Sequence, residues 1–383
     1  MAARDRGNLW PFHPKPLQDE LLTSWIVRTA AGNGLKLHTF TSLAWPGRDL
    51  WNRDIDNFAP QSVLEEMARG TSTPMTAAFQ TSLASLEGVV FEQHQPNGHT
   101  PWIMPIGVYH RLRRRFGQQF CPACLSEQPY YRRTWRLAFS TVCVRHALEL
   151  RDRCPRCLLP VHFHRRDLGD RAALDARLLT TCFECESDLR LIDGRAAPPD
   201  AVEFTKGLGD IVASGTAMIA DQVLFPHLYF AGLRVLLVVL SSGRAARALR
   251  KHLGTELAIA DFEPAFGGSL QLFELLPVPQ RARLMRMAAF LLRDWPLQFI
   301  ERSTRLGLSA SYLGKHLPHA PFWYWSIVRE YFDRSTYSPS IEEIEAAIRH
   351  LRSQGARPRK SEVSKLLGGS DVLRKRHLGH LLR

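Results

Sequence analysis

The sequence predicts a mainly α protein whose small β elements are confined to zinc fingers. Three observations lead there. Apolar residues recur at helical spacing over most of the chain. All seven cysteines fall between 121 and 185. Two segments near the C-terminus repeat a helix–glycine–serine–helix pattern. These features divide the chain into four regions: an N-terminal helical, helix-turn-helix-like domain over 1–117, a tandem zinc-finger module over 118–193, a helical middle over 194–280, and a C-terminal helical domain with two helix-turn-helix-like repeats over 281–383.

Taken in order, QDELLTSWIVRTAA (18–31) puts Leu21, Leu22, Trp25, Ile26 and Thr29 on one helical face. Gly32-Asn33-Gly34 stops that helix, and Leu35, Phe40, Leu43 and Ala44 point a second one inward. A pair of helices across a glycine turn suits a helix-turn-helix as well as a plain hairpin. Residues 46–104 are rich in Pro, Asn, Thr and Ser and show no clear period, so short helices and loops are expected. YHRLRRRFG (109–117) is basic, with arginines at 111, 113, 114 and 115. Beyond GRAAPPD (194–200), helical periodicity dominates to residue 300, with breaks at Gly215, Pro226, Gly243, Gly267–Gly268 and Pro277. ARLMRMAAFLLRDW (282–295) is its clearest amphipathic helix, with Leu284, Met287, Ala288, Leu291 and Trp295 on the apolar side.

The cysteines come as CPAC (121–124), CVRH (143–146), CPRC (154–157) and CFEC (182–185). With His146 they make eight ligands, enough for two tetrahedral sites with none left over. Sequential pairing gives a Cys₃His site from Cys121, Cys124, Cys143 and His146, then a Cys₄ site from Cys154, Cys157, Cys182 and Cys185. A cross-braced arrangement would alternate the pairs, and the seven residues ALELRDR between the second and third pairs count against it. Both sites take four protein ligands, which points to two structural Zn²⁺ per chain rather than a catalytic ion with an open position. The H-x-E that a zinc deaminase places ahead of P-C-x-x-C is missing upstream of CPRC, and the histidines of HFHRRD (162–167) fit a basic finger surface. YYRRTWRLAF (130–139) interleaves Arg132, Arg133 and Arg136 with aromatics. The arginines are candidates for nucleic acid, while Trp135, Leu137 and Phe139 are expected to alternate inward on a strand.

RLGLSASYLGKHL (305–317) and LLGGSDVLRKRHL (366–378) align at an offset of 61, pairing Leu306/Leu367, Gly307/Gly368, Ser309/Ser370, His316/His377 and Leu317/Leu378. A helix ending at Leu-Gly, a glycine turn, and serine as N-cap of the next helix describe a helix-turn-helix. The recognition helices would open with Ala310, Ser311 and Tyr312, and with Asp371, Val372 and Leu373. Ser309, Ser311, Lys315, Arg359, Lys360, Arg374, Lys375 and Arg376 are the candidate nucleic-acid contacts here. Eight Lys/Arg against Glu362 and Asp371 over 354–383 favour DNA.

Composition narrows the class. A net charge of +13 and a pI near 9.8 favour polyanion partners. The apolar run 228–240 is 13 residues long and carries Arg234, so it reads as a buried helix, with no membrane partner expected. WPFHPKP near the N-terminus lacks the apolar run of a signal peptide, so a cytoplasmic protein, nucleoid-associated when on DNA, is expected. Neither a carboxylate cluster nor a spaced acidic triad supports an enzyme.

PKPLQDELLTSWIVRTAAGNGL, FCPACLSEQPYYRRTWRLAFSTVCVRH and LRDRCPRC, in that order, resemble the TniQ/TnsD family of transposon target-selection proteins. The match is tightest over roughly 10–45 and 118–160. The resemblance implies a non-enzymatic adaptor of a Tn7-like or Tn5053-like element that marks an insertion site. Its implied partners are DNA, an AAA+ transposition regulator and the transposase. In some relatives a CRISPR RNA-guided effector complex takes the place of direct DNA reading, and a homodimer is compatible with either route. The eight ligands match the family pattern residue by residue. The alternatives are a zinc-finger/helix-turn-helix transcription regulator and, less well supported, a zinc-dependent nucleic-acid enzyme.

Overall fold

The computed structural model describes residues 9–106, 117–162, 179–241, 243–265, 273–314, 320–333, 339–355 and 358–367. The expected basic residues Arg111–Arg115, Lys315, and Arg374–Arg376 lie outside them, as does the turn-and-helix half of the second C-terminal repeat. Helices dominate, and the strands are short.

α1 (Leu22–Gly32) buries the predicted face: Leu22, Trp25, Ile26 and Thr29 are all solvent-free. It ends at Asn33, and Gly34 takes φ +66°, a left-handed turn that costs glycine nothing. α2 (Leu37–Ala44) turns a different face inward from the one expected. Leu37, Phe40 and Thr41 are buried, while Leu43 is 66% exposed, because Phe40 packs edge-on against Trp10 and Trp45.

The aperiodic stretch holds α3 (Ile55–Phe58), α4 (Gln61–Gly70) and α5 (Met75–Phe79), with 3-10 turns at Leu50–Asn52 and Leu83–Leu86. Pro60 and Pro74 stand at the N-caps of α4 and α5, so prolines mark where these helices begin. α6 (Pro122–Glu127) opens the metal region, followed by a 3-10 turn at Arg133–Arg136 and a hairpin of β1 (Val142–Cys143) and β2 (Leu148–Glu149). The strand expected through Trp135–Phe139 is therefore not formed; all five residues from Trp135 to Phe139 are buried, so there is no alternation.

α7 (Pro199–Ser214) stops at Gly215, whose φ is +67°. A hairpin of β3 (Ala217–Ile219) and β4 (Gln222–Leu224) then interrupts the region read as helical throughout. α8 (Pro226–Ser241), α9 (Arg244–Leu257) and α10 (Val278–Leu292) follow, each starting at or next to a predicted break. Leu284, Met287, Ala288 and Leu291 of α10 are buried, as is Trp295. Gly232 of α8 permits a close approach, since a Cβ there would lie 1.9 Å from the Trp323 ring. Among the described residues no single helix is long and apolar enough to cross a membrane.

α11 (Leu297–Arg305), α12 (Ala310–Leu313), α13 (Phe322–Phe332), α14 (Ile341–Ser353) and α15 (Lys360–Leu366) complete the chain. Buried side chains from Leu21 to Phe332 form one contacting core, and Ile344, Ala347, Ile348 and Val363 form a separate small one. The repeat extends beyond its quoted motif. At an offset of 60, Leu284/Ile344, Met287/Ala347, Ala288/Ile348 and Leu291/Leu351 align α10 with α14, one residue short of the 61 that aligns the ends of α11 and α15 at Leu306 and Leu367.

Candidate metal centres

Two clusters hold the eight expected ligands. Cys121, Cys124, Cys143 and His146 bring their ligand atoms within 4.8 Å of one another, as do Cys154, Cys157, Cys182 and Cys185. These are the sets of sequential pairing. In the first, His146 Nδ1 lies 3.6, 3.3 and 3.5 Å from the sulfurs of Cys121, Cys124 and Cys143. In the second, Cys154 and Cys185 are 3.5 Å apart and Cys157 and Cys182 3.7 Å.

Local backbone chemistry delivers the ligands. Cys121 is the N-cap of α6 and Pro122 its first residue, so Cys124 returns to the same side one turn later. The other three knuckles share a different geometry. Cys154 N–H donates to Leu159 O while Leu158 N–H donates to Cys154 O, and Leu158 sits at φ +60°. Cys182 repeats this with Ser187, Glu186 and φ +60°. Ala147, four residues after Cys143 in the β1–β2 turn, has φ +49°.

Hydrogen bonding within each set divides the charge unevenly. In the first cluster, bonds with Cys121 and then Cys143 push the Cys124 thiol up, while bonds with Cys121 and Cys124 pull Cys143 down. Burial pushes Cys185 up, but bonds from Ser187 and Cys154 outweigh it and bring it down to about 6.

His146 is held from behind. Its Nε2 is 3.0 Å from Glu127 Oε1, and Glu127 Oε2 is 2.8 Å from Arg145 Nη2. α6 thus supplies two thiol ligands and the carboxylate that orients the imidazole. Nothing in the C-x-x-C spacing announced Glu127; its signal is its place three residues after Cys124 on the same short helix.

After the turn residue Ala147, LELRDR (148–153) between the two sites is a backbone-paired segment. Leu150 N–H donates to Thr141 O, Arg151 and Phe120 exchange two backbone bonds, and Glu149 N–H donates to Arg195 O. Backbone pairing on both edges therefore fixes one site relative to the other.

The arginines beside the first site divide. Arg136, expected to reach nucleic acid, is fully buried: it bonds Asp54 at 2.5 Å, Asp56 at 3.1 Å and Met104 O at 2.9 Å. Burial opposes its charge, but the two carboxylates outweigh that and hold it above the usual arginine range. Arg133 is also engaged internally, donating to Gln80 O at 2.8 Å and facing Asp19. The expected contact at Arg136 is thus corrected by its burial, and Arg133 turns Nη1 inward to Gln80 and Ser85. Arg132 lies half-buried over the rings of Tyr130 and Trp135, at 4.5 and 4.9 Å. Tyr130, Tyr131, Trp135, Leu137 and Phe139 belong to the interior.

The opening E-L-L-x-S-W run is a scaffold as well. Buried Glu20 accepts from Ser24 Oγ at 3.0 Å and from Arg28 Nε at 2.8 Å, and Trp25 Nε1 donates to Pro14 O. Ser24 Oγ accepts in turn from Tyr131 N–H, which ties α1 to the first metal site.

In the C-terminal repeat, Gly307 turns at φ +63° and Ser309 caps α12, accepting from Tyr312 N–H at 3.2 Å. Ser309 and Ser311 are exposed, as are Arg359 and Lys360 at the start of α15.

Residues 11–150 match the family model TniQ. That span takes in the whole first cluster and stops before the second. No curated protein matches the chain.

Proposed function

We propose that this TniQ-domain protein is a non-enzymatic adaptor for DNA transposition, which binds target DNA and recruits an AAA+ regulator and transposase to it. The observation that carries this reading is the TniQ match over 11–150, which ties the chain to target selection in Tn7-like transposition. Two metal sites with four protein ligands each support a scaffold role, since neither leaves a position where substrate would meet the ion.

Zinc is the ion we assign to both. Bonds of about 2.3 Å to sulfur in a tetrahedron put neighbouring ligands roughly 3.8 Å apart, and about 3.6 Å where nitrogen replaces one sulfur. The sulfur–sulfur separations of 3.5 to 3.7 Å and the His146 contacts of 3.3 to 3.6 Å fit that edge. The exposed serines of the first helix-turn-helix and the basic start of α15 support DNA as a direct partner.

The test is to combine the purified chain with the AAA+ ATPase and transposase encoded by the same element. A ternary complex on DNA, and loss of targeted insertion when the chain is omitted, are expected. Targeted insertion that proceeds unchanged without it would overturn the reading.

A further inference from the structure

We propose that α9 carries a DNA-backbone contact strip, formed by Arg244, Arg247 and Lys251, beside the helix-turn-helix of α11 and α12. The proposal rests on the DNA-binding reading above and names the surface that supplies its phosphate contacts.

The three cations recur at i, i+3 and i+7, so they share one face over about 10 Å of helix. All three are exposed, whereas Ala246, Leu249, Arg250 and Leu253 form the buried face. Arg250 is excluded from the strip, because its guanidinium donates to Leu240 O at 2.8 Å inside the fold. Arg247 does face Glu263 at 3.2 Å, but both side chains are more than 60% exposed. A pair so open to water is worth little and exchanges readily for phosphate. Glu256, the one acid within α9, lies on another face of the helix and is engaged by Arg302 at 3.2 Å and His252 at 3.1 Å.

Position and need agree. The Arg302–Glu256 pair sets α11 against the C-terminal end of α9. Tyr312 Oη donates to Val239 O at 2.6 Å, which sets α12 against the end of α8, where α9 begins. The described part of α12 reads Ala310-Ser311-Tyr312-Leu313 and carries no charged side chain. A helix of that kind can meet base edges but does not hold a duplex. Cations on a neighbouring helix would do so, and the net charge of +13 matches a polyanionic occupant.

The experiment uses the full chain with Arg244→Gln, Arg247→Gln and Lys251→Gln combined, and Lys251→Gln alone. Binding to a mixed-sequence duplex is followed by fluorescence anisotropy between 50 and 200 mM salt, with thermal melts as the folding check. Each phosphate contact adds about 0.9 to the slope of log affinity against log salt. The triple variant should therefore lose roughly 2 to 3 in slope, and the single variant about 1, with unchanged melts. Wild-type binding with an unaltered slope in the folded triple variant would overturn the α9 strip and leave the DNA reading standing. A wild-type chain that binds no duplex would sink both.

Discussion

His146 shows how much of a site one side chain's surroundings decide. Its Nδ1 faces the three sulfurs, so the neutral ring carries its proton on Nε2, where Glu127 Oε1 waits at 3.0 Å. Removing such a partner costs a metal site tenfold to a hundredfold in affinity. Glu127 is 42% exposed, which places Glu127→Gln near the lower end, about a tenfold loss of zinc affinity in chelator competition. An affinity equal to wild type would mean that the thiolates alone orient the ring. The eight ligands were legible in the sequence because each knuckle's chemistry is local to four residues. Glu127 was not, since a carboxylate three residues past a cysteine is ordinary until a histidine from 19 residues away meets it. The same reason misdirected Arg133 and Arg136: their spacing reads as a basic strip, and the carboxylates that claim Arg136 lie 80 and 82 residues away.

Among the elements, the knuckles carry a strain that their composition hides. Left-handed backbone is glycine's region, yet Ala147, Leu158 and Glu186 occupy it at φ +49°, +60° and +60°. Leu158 is the cleanest probe, because its side chain is 68% exposed and its removal opens no cavity. Leu158→Gly relieves about 1 kcal/mol of backbone strain, partly offset by the freer unfolded chain. Leu158→Val adds a β-branch at the same φ and should cost about 1 kcal/mol. Opposite shifts in the melting temperature of the metal-loaded protein are expected, and equal shifts would deny the strain. Other elements were readable in proportion to their periodicity. α1 and α10 show their buried faces in sequence, and Gly215, Pro226, Gly243 and Pro277 marked real boundaries. α3 to α5 escaped because helices of 4, 10 and 5 residues present too few turns for a pattern. The C-terminal repeat was read from its glycine turn, while the pairing of α10 with α14 needed the buried positions themselves.

At the scale of the molecule, Glu274 joins what the sequence keeps far apart. Lying in the 3-10 turn Phe273–Leu275, it accepts from Trp102 N–H at 2.7 Å, pairs with Arg234 of α8, and faces His99 at 3.4 Å. The TniQ-matching span is thereby tied to the helices that lead into α11 and α12. Burial raises the cost of the Glu274 charge, yet Arg234 and then His99 outweigh it and bring its pKa down to about 2. A carboxylate with its folded pKa below its ordinary 4.5 contributes stability that is full above about pH 4.5 and is lost as pH falls toward 2. The shift corresponds to about 3 kcal/mol for this buried group, comparable to the cost of breaking a buried pair. Glu274→Gln should therefore lower the unfolding free energy from urea titration at pH 7 by about 3 kcal/mol, and the gap to wild type should narrow steadily below pH 4.5. A gap of the same size at pH 3 and pH 7 would show that Glu274 acts through packing and its bond to Trp102 alone. If the ion pair carries the link, acid should loosen α8 and the helices after it from the TniQ-matching span before it unfolds either. Hydrogen exchange at pH 3 would then show α8 and the 273–277 turn opening ahead of α1.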